Sequence, residues 1–160
     1  MITIAQPGPG DAEWLHRQHA EHYARDEGFD ASFGVLVAQI LADFEAAHDP
    51  DRERGFIAWR DGQRLGSVFC MRQNDSVAKL RLFFLLPEAR GLGLGRRLLE
   101  TCTGFARAAG YRRMVLWTHE SHRAACALYA RTGWRLVRSE ARRSFGVDVV
   151  EQGWEIDLQA

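Results

Sequence analysis

The chain has 160 residues, with Lys plus Arg and Asp plus Glu at 21 each, a formal net charge of zero and a pI of about 7.0. That length suits one domain with a core of its own, needing no disulfide or metal staple. The neutral balance excludes the strongly basic profile of a nucleic-acid binder, and no apolar run approaches the roughly 18 residues of a membrane span.

The basic residues are nevertheless clustered, at Arg90, Arg96, Arg97, Arg107, Arg112 and Arg113 and again at Arg142 and Arg143, while acids concentrate before residue 62. A neutral total can therefore hide a local anion site. Cys70, Cys102 and Cys126 are odd in number, lack paired metal spacing and sit inside apolar segments, as small buried thiols of a reducing compartment do. The start, "MITIAQPGPG", lacks a basic leader followed by a long apolar stretch. A cytoplasmic protein is expected, with residues 1–160 as a single domain.

Residues 2–5 read as a short strand, stopped by Pro7-Gly8-Pro9-Gly10 before Asp11 caps a helix running to about Glu27. Phe33, Leu36, Val37, Ile40, Leu41 and Phe44 recur at helical spacing in a second helix, ended by Asp49-Pro50. "FIAWR" and "RLGSVFCM" flank Asp61-Gly62, a dipeptide suited to a tight hairpin turn. "VAKLRLFFLL" follows as a third strand, in which Lys79 and Arg81 alternate against Leu80, Leu82 and Phe84. After Pro87 and a glycine turn, Leu98, Leu99, Cys102, Phe105, Ala106 and Ala109 mark the inner stripe of a helix closed by Gly110. "RRMVLW" is the next strand. Ser121 then caps a helix carrying Ala125, Leu128 and Tyr129 on one side, with Gly133 at its end. "WRLVRSE" and "DVVEQGWEIDL" complete the strands. The pattern is α+β with a mixed, mostly antiparallel sheet of about six to seven strands and about four helices.

The stretch "PEARGLGLGRRLL", residues 87–99, places Gly91, Gly93 and Gly95 between a strand and a helix. Unbonded N–H groups and the positive end of a helix make such a turn a seat for phosphate. Side chains at 93 and 95 would block close approach, Leu92 and Leu94 are expected to pin the loop into the core, and Arg90, Arg96 and Arg97 offer charge. The plain alternative is a tight turn whose glycines serve geometry only. A Walker loop needs lysine followed by serine or threonine where this chain has Arg96 and Arg97. A dinucleotide fingerprint needs parallel strands and an acid at the end of the next strand, where this chain has Leu116, Trp117 and Thr118.

At these residues the sequence resembles the GNAT superfamily of acetyl-CoA-dependent N-acetyltransferases. Arg90-Gly91-Leu92-Gly93-Leu94-Gly95 matches its motif Q/R-x-x-G-x-G/A, and "HRAACALYARTGW" follows its second motif at Ala125, Leu128, Tyr129 and Gly133. The element order is similar as well, which implies the GNAT fold. "VAKLRLFFLLPEARGLGLGRRLL" and "SFGVDVVEQGWEIDL" look closest to the acetyltransferase half of proteins in which a MarR-type regulator precedes a GNAT domain. This chain is expected to lack that regulator half.

The resemblance implies that backbone groups of Phe83, Phe84 and Leu85 bond the pantetheine arm of acetyl-CoA, and that the N–H groups from Gly91 to Arg96 hold its pyrophosphate. The thioester would lie between the diverging ends of "RLFFLL" and "MVLW", in a gap opened by a local bulge. Tyr129 matches the superfamily's tyrosine that protonates the departing thiolate; its bland alternative is an aromatic packed on the sheet. His122 stands at the motif's usual asparagine position, where the pantetheine region is bonded, and histidine keeps the ability to donate.

A free amine must lose a proton before it attacks a thioester. Lys79 and Arg81 stand where some relatives carry an acidic base, so His119 and Glu120 are the nearest alternatives, His119 having the better intrinsic pKa. His16, His19 and His22 lie three apart on the first helix, whereas helical ligand pairs are usually about four apart, so no metal is expected. They read instead as a polar face of the acceptor cleft beside Tyr23 and Glu27, with Arg81 as a further substrate contact. The implied activity is transfer of acetyl from acetyl-CoA to a primary amine of a small molecule, peptide or protein. The alternative is a CoA-binding sensor or interaction module with little or no transfer. Neither nucleic acid nor a membrane is an expected partner, and two copies are expected to pair through their last strands.

Overall fold

The computed structural model describes residues 1–159 and keeps the element order read from the sequence. Strand β1 (Thr3–Ala5) precedes helices α1 (Asp11–Glu27) and α2 (Ala31–Ala47). Strands β2 (Arg54–Arg60), β3 (Gln63–Arg72) and β4 (Val77–Leu85) form the expected meander. A short 3-10 turn (Pro87–Ala89) leads to helix α3 (Leu94–Ala108), strand β5 (Arg113–His119) and helix α4 (Arg123–Arg131). Strands β6 (Arg135–Ser144) and β7 (Val147–Asp157) end the chain. Among the described residues the sheet has seven strands in the order β1-β2-β3-β4-β5-β7-β6, and β4 with β5 is its one parallel pair. This is the expected α+β architecture, with four α-helices.

Local chemistry accounts for most of the boundaries. Asp61 and Gly62 take φ of 52° and 75°, the left-handed pair that a two-residue hairpin requires. Asp11 does not cap α1: Gly10 holds that position at φ 83°, and Asp11 begins the helix itself. Its buried carboxylate accepts from the Gly8 N–H at 2.7 Å and from Arg64 Nε at 2.6 Å, which ties the helix start to β3. At α4 the cap is His122 rather than Ser121, and no side chain bonds the freed N–H groups there. The last hairpin is longer than the sequence implied, because Phe145 and Gly146 both adopt positive φ and close β6 directly onto β7. Phenylalanine is an uncommon residue for that conformation, so composition carried no signal for the turn.

The sheet has a core on each face. On one side, Leu98, Leu99, Cys102 and Ala106 of α3 and Tyr129 of α4 pack against Val68, Leu80, Met114 and Leu116. On the other, Leu15 of α1 and Val37 and Leu41 of α2 pack against Ile57 and Phe69. Burial of this kind contributes roughly 25 cal/mol per Å² of apolar surface, so the two layers dominate stability.

The feature that shapes the site is a bulge in β4. Phe69 pairs with Arg81 and Ser67 with Phe84, which leaves an extra residue on β4, and Leu82 sits there at φ 51°. Simple alternation would put Leu80, Leu82 and Phe84 on one face. Instead the bulge turns Leu82 into the α1/α2 core and Phe84 against Trp14 and His19, while Phe83 and Leu85 turn toward α3 and α4. Ser67, fully buried, donates from Oγ to the Leu82 carbonyl at 2.6 Å and pins the bulge. Gly66 lets β3 approach, because a Cβ there would press on the Phe84 carbonyl. Ser67→Ala removes that donor and leaves a buried carbonyl unpaired, so chemical denaturation should register a loss of about 1–3 kcal/mol.

Candidate active site

β4 and β5 pair only from Val77 to Lys79 against Arg113 to Val115. Beyond that, β4 stays with β3 as far as Leu85 while β5 stays with β7 as far as His119, so the two strands part. The expected gap is therefore present, and the bulge at Leu82 lies on its β4 side.

One wall of the gap is the glycine turn. Gly91 and Gly93 take φ of 80° and 72°, and Gly93 caps α3 with no side-chain bond to the helix. The Arg90 N–H is used by the Pro87 carbonyl and the Arg97 N–H by the Gly93 carbonyl. The N–H groups of residues 91–96 between them have no acceptor among the described residues. A Cβ built at Gly91 or Gly93 meets no protein atom within 4 Å, so glycine there answers to the left-handed backbone of the turn and not to packing. Open space, unpaired donors and a helix N-terminus fit a diphosphate. Gly95 differs from the expectation: it is buried, and a Cβ would lie 3.0 Å from Leu128 and 3.2 Å from Leu85, so its role is the close packing of α3 on α4 and β4. Leu94 is buried as expected, whereas Leu92 is 48% exposed and does not pin the loop into the core.

The phenol of Tyr129 belongs to the same wall. Its ring is buried among Phe83, Trp134 and Trp154, with ring centroids about 6 Å apart, and among the described residues its hydroxyl has no hydrogen-bond partner. Burial, then Tyr23, pushes its pKa well above the usual phenol value, so it stays protonated.

The opposite wall is built from α1 and the end of β5. His119 ends β5, its Nδ1 buried without a partner and its pKa lowered by burial. His122 lies 5.4 Å from it, ring centre to ring centre, accepts or donates at Nδ1 with Thr118 Oγ1 at 3.2 Å, and is pushed down to about 4 by burial and then by His119. Glu27 Oε1 stands 3.5 Å from His122 Nε2, longer than a sound hydrogen bond. Tyr23 packs on His122 and His19, and burial and then Glu27 raise its pKa to about 12. Phe29, Phe33 and Phe145 close this end, with the Asp30 N–H donating to the Phe145 carbonyl at 2.8 Å to hold the β6–β7 tip on the α1–α2 turn. Sequence reasoning missed Phe29 and Phe145, since nothing in periodicity ties a hairpin tip to a distant helix turn.

Tyr23, Glu27, His119 and His122 are thus brought together, and Arg81 enters from β4 on the same face. The three spaced histidines separate. His16 turns into the groove between α1 and α2, 3.6 Å from where a Gly34 Cβ would be. His19 is buried on Phe84, donating from Nδ1 to the Leu15 carbonyl at 2.8 Å, and His22 also reaches Phe84. Of these, His19 and His22 face the cleft side and His16 does not. Glu120 lines an open depression of about 720 Å³ together with Glu27, Arg123 and Arg142. Among the described residues no three His, Cys, Asp or Glu side chains converge as metal ligands, and no helix is long and apolar enough to cross a membrane.

A mostly antiparallel sheet that opens at one parallel pair, beside a bare helix start, defines the class of GNAT-fold proteins. The comparisons with known proteins agree. The profile of the Acetyltransferase (GNAT) family matches residues 27–134, and the chain belongs to that family. It is 32% identical over 140 residues to a mycothiol acetyltransferase of Geodermatophilus obscurus, covering 84% of this chain and 44% of that protein. It is 33% identical over 135 residues to an IAA acetyltransferase of Azospirillum brasilense, covering 83% of this chain and 84% of that protein. The chain thus spans less than half the length of the mycothiol acetyltransferases it matches. The structure of YncA, a putative acetyltransferase from Salmonella typhimurium with acetyl-CoA, superposes with a TM-score of 0.81 at 19% identity, covering 100% of this chain and 95% of that one. At that identity the likeness concerns the fold.

His19 gives the site a measurable signature. Burial drives its pKa down from 6.5 to about 4, so between those values the unfolded chain binds a proton that the folded chain refuses. Stability is therefore unaffected by His19 above pH 6.5, falls as pH drops, and levels off below about 4. Urea unfolding across that window should show His19→Gln losing less stability than the parent, by on the order of 3 kcal/mol.

Proposed function

We propose that the protein is an acetyl-CoA-dependent N-acetyltransferase that moves acetyl to a primary amine by direct attack on the thioester. The observation that carries this reading is the run of unpaired N–H groups at residues 91–96 beside the parted ends of β4 and β5. In this reading those amides hold the diphosphate, with Arg90, Gly91, Leu92, Gly93, Leu94, Gly95 and Arg96 forming the turn. Backbone groups of Phe83, Phe84 and Leu85 lie along the pantetheine arm, and His122 stands where that arm meets the acceptor. The acetyl-CoA held by the YncA structure and the acetyltransferase relatives support the same chemistry.

The thioester supplies the acetyl group: its carbon–sulfur bond breaks as the bond to the amine nitrogen forms. His119, held neutral by burial, accepts the proton that the amine must lose. Tyr129, held protonated by burial, gives its proton to the departing sulfur. The two groups lie on opposite walls, so one proton can be removed and another delivered without crossing. Tyr23, Glu27 and Arg81 border the acceptor. Acceptors named for relatives, mycothiol-related or otherwise, belong to those proteins; a small-molecule or peptide amine is the class proposed for this chain. The exposed Leu136 and Val137 on edge strand β6 support pairing of two copies through the last strands. Kinship with the acetyltransferase half of MarR-type fusions rests on the two stretches quoted above alone.

Tyr129→Phe should lower kcat for thiol release by about 10- to 100-fold while CoA still binds, as loss of a general acid does. Tight CoA binding with no thiol release from any amine would instead favour the sensor reading. Gly93→Ala and Gly110→Ala form a matched pair, since both positions have positive φ at an end of α3 and open space for a Cβ. Both should cost similar strain, yet calorimetry should find CoA affinity reduced roughly tenfold or more only in Gly93→Ala.

A further inference from the structure

We propose that the acceptor amine carries a carboxylate, which Arg81 and Lys79 hold on the open sheet face beside the β4–β5 gap. This rests on the transferase reading and names the substrate class of that site. Arg81 pairs with Phe69 and Lys79 with Met71, both directed to the α1/α2 side, so the two cations share that face. Arg81 immediately precedes the Leu82 bulge, at the edge of the gap. Lys79 leans toward β5, its Nζ 3.9 Å from the centre of the Trp117 ring, and Trp117 is 58% exposed.

Two acids on this face are already paired with arginines, and Glu27 stands beside His122. Glu151 accepts from Arg138 at 2.8 Å, and Glu155 accepts from Arg113 and Arg135 at 3.0 Å each. Among the described residues neither Lys79 nor Arg81 forms an ion pair. Two adjacent, half-buried cations without a paired anion raise the energy of the empty site, and the nearby Glu151 offsets this only in part. The strain is visible in Lys79, pushed down to about 8 by burial and then by Arg81, and in Arg81, lowered by burial. An incoming anion relieves it. The planar fork of Arg81 matches a carboxylate in two bonds, and Lys79 adds a point charge. With the diphosphate turn and Tyr129 on the other face, an amine reaching into the gap leaves the remainder of its molecule over Arg81. An amino acid or the C-terminal residue of a short peptide satisfies that geometry, and a plain alkylamine leaves both cations without a paired anion.

The test is a panel of amino acids and dipeptides, each matched with the amine lacking its carboxylate, assayed on the full chain by thiol release from acetyl-CoA. The expected result is a KM at least tenfold lower for the carboxylated members. Arg81→Gln should shrink that ratio below threefold, and Arg81→Lys should restore it only in part. Equal or lower KM for the decarboxylated amines, or an unchanged ratio in Arg81→Gln, overturns the proposal. If no amine releases thiol, the transferase reading has failed, and binding decides the carboxylate site by itself. Amino acids, but not their decarboxylated partners, should then quench tryptophan fluorescence in the parent and not in Trp117→Phe or Arg81→Gln. Quenching that ignores the carboxylate sinks the site.

Discussion

The parting of β4 from β5 is the constraint on which the rest of the site depends. Parallel pairing stops after Lys79, and the bulge at Leu82 forbids its resumption by turning the β4 backbone out of register. A left-handed leucine is strained, and it persists because Ser67 bonds its carbonyl and Gly66 gives the neighbouring strand room to close in. The same residue reverses the alternation of β4. Phe83 is thereby delivered to Tyr129 on one side and Phe84 to the histidines of α1 on the other. One extra residue opens a slot and distributes two aromatic side chains to its two walls.

Those walls differ in electrostatics as well as in shape. The α3 side presents bare amides and a protonated phenol, and therefore favours negative charge and donates hydrogen bonds. The α1 side presents imidazoles kept neutral by aromatic neighbours and by lack of solvent. A neutral imidazole is the useful state for taking a proton near neutral pH, and burial secures it at a cost in stability under acid. The hairpin tip at Phe145 shields this side, and its backbone bond to Asp30 couples the last two strands to the first two helices. Residues far apart in sequence thus set the environment of His119.

The glycine turn shows how much of a site can be legible in a sequence and where legibility ends. Arg90 through Gly95 and the segment from His122 to Gly133 announced a tight turn opening one helix and a second helix ended by glycine, because glycine serves best at the left-handed positions 91, 93 and 133. Gly95 looked the same on paper, yet its bareness answers to Leu128 and Leu85, which a linear reading does not bring near. Leu92 and Leu94 likewise read as equivalents, and the helix start separates them into an exposed and a buried residue. His16, His19 and His22 were visible as a group, but which of them meets the cleft depended on how α1 is rotated against α2 and β4.

The sequence by itself determined the elements, their order and the bare backbone of the turn, since periodicity, glycine placement and hairpin dipeptides act over short distances along the chain. A bulge in this region was expected from the resemblance, but tertiary structure alone decided that it falls at Leu82, the reversal of faces that follows from it, and the company of Lys79 and Arg81. Those features arise from contacts between strands, where a partner's register rather than a residue's own preference selects the backbone conformation and assigns each side chain its neighbours.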